Sequence, residues 1–249
     1  MLLGCAADLR PPALPAAPDA AASAAGAERL ASLARAHGFD RWQTFSRARF
    51  RLVDPSAPAC LRGGLLAGSQ ELDIELTLRD TTVRARFVGG PRAGQTIGVK
   101  GDVAYTVTDQ GSLEYAGDAC VETYLLDLQR VFTLPLSLAA DAEMGEVRAF
   151  AAGERELAGR SYELLFVTAP APYGTSGGDE QYLLWIERSS GRAEWIERTD
   201  RRRSRSAQDA LHGLDVRDVQ GIMLPARIER SGSVGDSGTA LELRDLSLD

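Results

Sequence analysis

The stretch YLLWIERSSGRAEWIERT, Tyr182 to Thr199, leaves this chain few folds to choose from. Two runs rich in aromatic and β-branched residues flank Ser189-Ser190-Gly191-Arg192. The words repeat across the turn: Trp185-Ile186-Glu187-Arg188 before it, Trp195-Ile196-Glu197-Arg198 after it. That pattern is a β-hairpin with a glycine in its turn. The rest of the chain supplies more strands of the same kind.

Ahead of the hairpin, alternation is the recurring signal. In Thr44 to Val53, Ser46, Ala48, Phe50 and Leu52 alternate with Phe45, Arg47, Arg49 and Arg51, giving one apolar and one basic face. Leu72, Ile74, Leu76 and Leu78 alternate with Asp73, Glu75 and Thr77. Val83, Ala85 and Phe87 follow after Asp80-Thr81, so these runs pair as a second hairpin. Gln95 to Lys100 and Val103 to Thr108 pair around Gly101-Asp102, with a short strand expected at Leu113 to Tyr115. Further strands are expected at 145–151, 160–168, 212–219 and 222–231, and the leucines 241, 243, 246 and 248 close the chain. The segment 55–69, rich in Pro and Gly, reads as loop. Two segments switch to helical period: 27–37, where Leu30, Leu33 and Ala34 share a face before Gly38, and 121–138, with Tyr124, Leu125, Leu128, Val131 and Phe132, ended by Pro135. The second is too short and too charged to span a membrane. The count is roughly 10–12 strands and two helices, without strand–helix alternation, so a mostly antiparallel, mainly β fold with α is expected.

The N-terminus carries a different kind of signal. Leu2-Leu3-Gly4-Cys5 resembles the lipobox of bacterial lipoproteins, in which a small residue precedes the cysteine that receives diacylglycerol. A leader needs charged and apolar regions ahead of that cysteine, so the chain is expected to derive from a longer precursor. Residues 6–26, almost entirely Ala, Pro, Ser and Gly, are expected to be a flexible tether. This divides the chain into a lipobox remnant and tether at 1–26 and a domain at 27–249. Ala6 after the cysteine is similar to the pattern of outer-membrane retention. The alternative is a cytoplasmic protein with a fortuitous Leu-Leu-Gly-Cys.

Several chemistries find little material. A net charge of -7 argues against nucleic-acid binding. Lys100 is the only lysine, so positive charge is almost all arginine. The three cysteines, Cys5, Cys60 and Cys120, are not spaced as metal pairs. Cys60 and Cys120 are free to bridge in an oxidising compartment, with two free thiols as the alternative. The two histidines, His37 and His212, offer little for a metal centre or a triad. His37 is expected at a helix end, capping or exposed, and His212 in a loop. Asp73 and Glu75 share a strand face and are expected to be solvated rather than an acid–base couple. The run Arg198, Arg201, Arg202, Arg203 and Arg205 is expected to be a solvated loop, with lipid phosphates as the rival partner. Gly174 to Gly178 lacks the spacing of a phosphate loop. No catalytic residue, metal or cofactor is expected.

Three local features together resemble the LolA/LolB superfamily of lipoprotein and lipid carriers. The hairpin Leu183-Leu184-Trp185-Ile186-Glu187 leads into Ser190-Gly191. Gly221-Ile222-Met223-Leu224-Pro225 is similar to the family's "G-hydrophobic-x-L-P" strand start. An N-terminal helix leads through Trp42 into a long first strand. The resemblance implies an incomplete, curved antiparallel β-barrel with helices against its concave face, and a habit of holding apolar ligands. From the strand and helix patterns themselves, the residues expected to line an apolar cavity are Trp185, Trp195, Phe166, Tyr124, Leu128 and Phe132. The function expected is non-enzymatic: a lipoprotein anchored in the outer membrane through Cys5, facing the periplasm, that binds a lipid or acyl chain. The rival expectation is an envelope scaffold that binds another protein through its sheet face.

Overall fold

The computed structural model describes the chain except residues 1–6, 13, 15–19, 63–68, 102, 108–110, 116–117, 171–178, 202–203 and 205. Its elements are α1 (Ala20–Ala36), α2 (Phe39–Trp42), β1 (Arg47–Asp54), α3 (Ala59–Arg62), β2 (Gln70–Thr77), β3 (Thr82–Phe87), β4 (Thr96–Lys100), β5 (Val103–Val107), β6 (Leu113–Glu114), α4 (Ala119–Thr133), α5 (Leu136–Glu143), β7 (Arg148–Leu157), β8 (Arg160–Ala169), β9 (Glu180–Glu187), β10 (Ala193–Thr199), β11 (Gln208–Val219), β12 (Ile222–Ser231) and β13 (Thr239–Leu248). Among the described residues the strands form one 13-stranded sheet in the order β6-β5-β4-β3-β2-β1-β13-β12-β11-β10-β9-β8-β7. It is antiparallel and not closed into a barrel, with β6 and β7 as its two edges. The chain divides into two compact units.

One unit comprises 41–134, 215–228 and 239–249. Its burial alternates residue by residue along β1 and β2. The register carries that alternation across strands: Phe50 lies opposite Ile74, Ile74 opposite Ala85, and Ala85 opposite Ile97. A one-residue slip would turn every one of these side chains to water, so the pattern itself holds the register. Helix α4 buries Val121, Leu125, Leu128 and Phe132, and Phe132 stacks on Phe50 with ring centroids 4.7 Å apart. Asp118 caps α4 by accepting from the amides of Cys120 and Val121. Tyr124 donates to Asp54 Oδ2 at 2.8 Å. Gln129 Nε2 donates to the carbonyls of Thr77 and Asp80, fastening the helix to the β2–β3 turn. The segment expected to be loop at 55–69 contains α3, whose Cys60 is disulfide-bonded to Cys120 at the start of α4.

The other unit comprises 1–40, 135–214 and 229–238. Helix α1 starts at Ala20, inside the segment expected to be flexible, because the run Ala20-Ala21-Ala22-Ser23-Ala24-Ala25 has the highest helix propensity available. It lies so close to β7 that a Cβ on Gly26 would sit 2.0 Å from the Ala149 carbonyl oxygen. The helix expected over 121–138 is two helices. Pro135 holds Leu134 extended (φ -66°, ψ 142°), ending α4, and itself begins α5, which runs to Glu143.

Candidate functional site

Within the second unit, pairing places Leu164 opposite Trp185, Phe166 opposite Leu183, Phe150 opposite Phe166, and Trp185 opposite Trp195. Alternate strand residues share a face. These six side chains, with Tyr162 and Ala210, therefore form one apolar cluster, each at most 6% exposed. The opposite face carries Leu165, Leu184 and Ile186 together with Glu163, which pairs with Arg29 of α1 at 2.5 Å. The aromatic cluster is thus on the face turned away from α1.

Polar ends are tied down around this cluster. Trp185 Nε1 donates to Glu197 Oε1 at 2.8 Å. Tyr162 donates to Glu194 Oε2 at 2.7 Å, reached through a bulge between Ala193 and Trp195. Burial, reinforced by that carboxylate, pushes the Tyr162 phenol up to about 12. His212 is not in a loop. It lies on β11 opposite Trp195, and the rings stack at 3.9 Å with 9° between planes.

Partly buried side chains cover the cluster. Leu9, Leu14, Ala152, Leu157 and Val234 pack on it, each partly buried. The N-terminal part of this cover reaches residues distant in sequence. Leu9 N donates to Gln181 Oε1 at 2.7 Å, Arg201 Nη2 donates to the Ala7 carbonyl at 2.7 Å, and the Arg10 guanidinium stands 5.6 Å from the Phe166 ring centroid.

The nominated cavity residues fall into two groups. Trp185, Trp195 and Phe166 meet in the cluster above. Tyr124, Leu128 and Phe132 lie on α4 in the other unit, where Leu128 and Phe132 are buried. A cleft of about 240 Å³ lies between α1 and α5, lined by Ala27, Leu30, Ala31, Ala34, Phe39, Ala139 and Ala142 and rimmed by Arg35, Asp40 and Glu143. That is below the ~300–1,000 Å³ of small-molecule sites. None of the six nominated residues lines it.

The charged strand face of the first unit is a ladder of ion pairs. Arg49 bonds Glu75 at 3.0 Å and Arg51 bonds Asp73 at 3.0 Å. Arg84 and Arg86 stand opposite Glu75 and Asp73 on β3. Hydrogen bonds to Glu75 and to Asp73 raise Arg49 and Arg51 respectively. Asp73 and Glu75 are counter-ions of arginines, flanking a shallow cavity of about 440 Å³.

Three polar expectations need correction. His37 is neither capping nor exposed. It is 6% exposed, and its Nε2 accepts from Ala193 N at 3.2 Å, so that nitrogen carries no proton. Arg198 is not a solvated loop residue: it is 2% exposed and binds Asp209 through Nε at 2.7 Å and Nη2 at 3.0 Å, with Arg230 Nε 3.4 Å from the same carboxylate. Arg201 is also buried. Arg202, Arg203, Arg205, Cys5 and the run 174–178 lie outside the described residues. Among the described residues no three acidic, histidine or cysteine side chains are grouped to hold a metal, and no helix is long and apolar enough to cross a membrane.

The cover was missed because residues 6–26 read as composition. The signal available was Leu9 and Leu14 flanking Pro11-Pro12, two large apolar side chains in a segment otherwise of small ones.

Solved structures with this arrangement exist. A DUF1329 family protein from Desulfovibrio piger superposes with a TM-score of 0.55 at 12% identity, covering 92% of this chain and 93% of its own. A LolA superfamily protein from Nitrosomonas europaea gives 0.53 at 13% identity, over 88% and 93% of the two chains. The chain has the LolA fold. A Vibrio parahaemolyticus domain assigned to outer membrane lipoprotein sorting shares the LolA fold with this chain at 0.53 and 12% identity, over 91% and 93%. No protein-family profile matches the sequence, and no curated protein does.

Proposed function

We propose that this chain is an envelope lipoprotein, acylated at Cys5 and held at the periplasmic side of the outer membrane, which binds a lipid or acyl chain on its LolA fold without covalent chemistry. In this reading residues 1–26 connect the anchor to one LolA-like domain. The observation that carries it is the fold itself, shared across about nine-tenths of the chain with a LolA superfamily protein and with a domain assigned to lipoprotein sorting. The apolar cluster of Trp185, Trp195 and Phe166, with Leu9, Leu14 and Val234 packed against it, supports this reading. Native mass spectrometry of the detergent-extracted protein from its host tests both halves in one measurement. The expected result is a diacylglyceryl adduct at Cys5 with a co-purified lipid. An unmodified Cys5 in a soluble cytoplasmic fraction refutes the anchoring, and a ligand-free spectrum from native membranes refutes the carrier.

One observation favours a scaffold as the second reading. Val103, Leu113 and Tyr115 are 43%, 55% and 66% exposed around the edge strand β6. Apolar side chains on a sheet edge are suited to pairing with another chain. Recovery of a stoichiometric protein in place of a lipid in the same spectrum would select that reading.

A further inference from the structure

We propose that the cavity on the charged face of β1, β2 and β3 binds a phosphate ester, with Arg84 and Arg86 holding the phosphate and Asp245 accepting from a hydroxyl of the esterified group. This site is separate from the aromatic cluster and does not depend on an apolar ligand there.

The cavity holds about 440 Å³, within the ~300–1,000 Å³ of small-molecule sites. Four arginines and three carboxylates line it. Much of this charge cancels in place. Glu75 accepts from Arg49 and Asp73 accepts from Arg51, both across the β1–β2 pair. Arg84 and Arg86 stand opposite the same two carboxylates from the other side, on β3. Among the described residues, neither of these two arginines makes an ion pair or a hydrogen bond. Two positions apart on one strand, they share a face with Cα atoms about 7 Å apart. Guanidinium forks at that spacing suit the oxygens of one phosphate.

The flank of Arg84 is built to hold it there. Gly98 on β4 lies opposite Arg84 and, on its other side, opposite Tyr105 of β5. The Tyr105 ring lies across that glycine, since a Cβ on Gly98 would sit 2.2 Å from Tyr105 Cζ. Burial raises the Tyr105 phenol, and the charge of Arg84 opposes the rise. The ring thus takes the space over β4 beside Arg84 and leaves the guanidinium the cavity side.

Asp245 supplies the far end. It lies on β13, where the β1–β13 register shifts between Arg49 and Arg51, and it adopts φ +51°. A bulge re-aims a side chain, and a left-handed non-glycine residue is a conformation held at some cost. Its carboxylate reaches Arg51 through charge alone and makes no ion pair with a described residue. β13, β1, β2 and β3 are consecutive in the sheet, so about 14 Å separates the strands of Asp245 and Arg84. At physiological salt a carboxylate at that range repels a phosphate on β3 weakly, and it accepts readily from hydroxyls. With the long arginine stems reaching inward, the remaining gap suits a phosphate joined to a small polyol better than phosphate alone.

The test is titration calorimetry of the full chain with glycerol 3-phosphate and, separately, inorganic phosphate, beside sedimentation with phosphatidylglycerol or phosphatidylcholine vesicles. Glycerol 3-phosphate is expected to bind saturably and more tightly than phosphate. Arg84→Gln/Arg86→Gln is expected to weaken it about ten-fold or more. Arg84→Lys/Arg86→Lys keeps both charges and weakens it by less. Arg148→Gln/Arg217→Gln removes two exposed arginines elsewhere and leaves affinity unchanged. Asp245→Gly, which suits the positive φ, brings the two affinities toward equality. Binding of phosphatidylglycerol vesicles alone, abolished by Arg84→Gln/Arg86→Gln, supports the same site with a lipid headgroup as the source. Equal weakening by the two glutamine pairs, or vesicle binding that survives both, overturns the site. An unchanged preference over phosphate in Asp245→Gly overturns the role of Asp245. No binding of either ester overturns the whole inference and leaves the apolar-ligand reading standing.

Discussion

Removing the Cys60–Cys120 bridge by Cys60→Ser/Cys120→Ser is the sharpest test of how the first unit is held. The two cysteines are 60 residues apart in sequence. Closing a loop of that length removes about 14 cal/mol/K from the unfolded chain, so the bridge is worth about 4 kcal/mol at room temperature. The folded ends are held independently of the sulfurs. Arg92 Nη1 donates to the Cys60 carbonyl at 2.9 Å while its guanidinium stands 4.4 Å from the Phe87 ring centroid, and burial lowers its pKa. Asp118 caps the helix that carries Cys120. The serine variant therefore keeps its native fold and loses mainly the restraint on the unfolded state. In a chain of this size 1 kcal/mol moves the melting point by about 2–4 °C, so the expected drop is roughly 8–16 °C. Calorimetry of oxidised wild type and the double serine variant at neutral pH reads it directly. Thiol titration in denaturant before and after reduction establishes the starting state, since Cys5 is the only cysteine outside the bridge. A drop under about 3 °C would refute the loop-entropy reasoning. Two free thiols at 60 and 120 in protein isolated from its host would count against an oxidising compartment.

Asp209→Asn leaves Arg198 buried without its carboxylate and is expected to cost about 3–5 kcal/mol in urea unfolding, whereas Arg198→Met/Asp209→Leu recovers most of that. Ser189 Oγ, aided by the Ser190 turn, holds the Glu187 carboxylate down at about 2. Its folded pKa is lowered, so its stabilisation is present above about pH 4.5 and lost as pH falls toward 2. Glu187→Gln should flatten the acid limb of stability in that window, and an unchanged slope would refute the assignment. Gly26→Ala drives a methyl into the Ala149 carbonyl and is expected to cost about 1–3 kcal/mol, read by chemical denaturation.

Much of the sheet was legible because a one-sided sheet imposes period two. Phe50, Leu52, Ile74 and Ala85 could be assigned to one face from alternation alone, and the register confirms their pairing. The Ser189-Ser190-Gly191-Arg192 turn was legible for a second reason: Gly191 adopts φ +68°, a conformation glycine takes without strain. The helix over 121–138 was legible as helical period, yet not as two helices. Proline ends one helix and starts another with equal ease, and only tertiary packing decides whether the second forms.

The polar core and the cover were not legible, for a physical reason they share. Their meaning lies in contacts distant in sequence. Arg198 looked like the first member of a basic run, yet its partner Asp209 faces it across the β10–β11 pair, which puts that arginine in the core and separates it from its neighbours. His37 accepts from an amide 156 positions away, and Leu9 donates to a side chain 172 positions away. Composition says that residues 6–26 lack the large apolar side chains for a core of their own. It does not say that they cannot borrow one. The aromatic face of β8, β9 and β10 takes Leu9 and Leu14 among the side chains that pack on it.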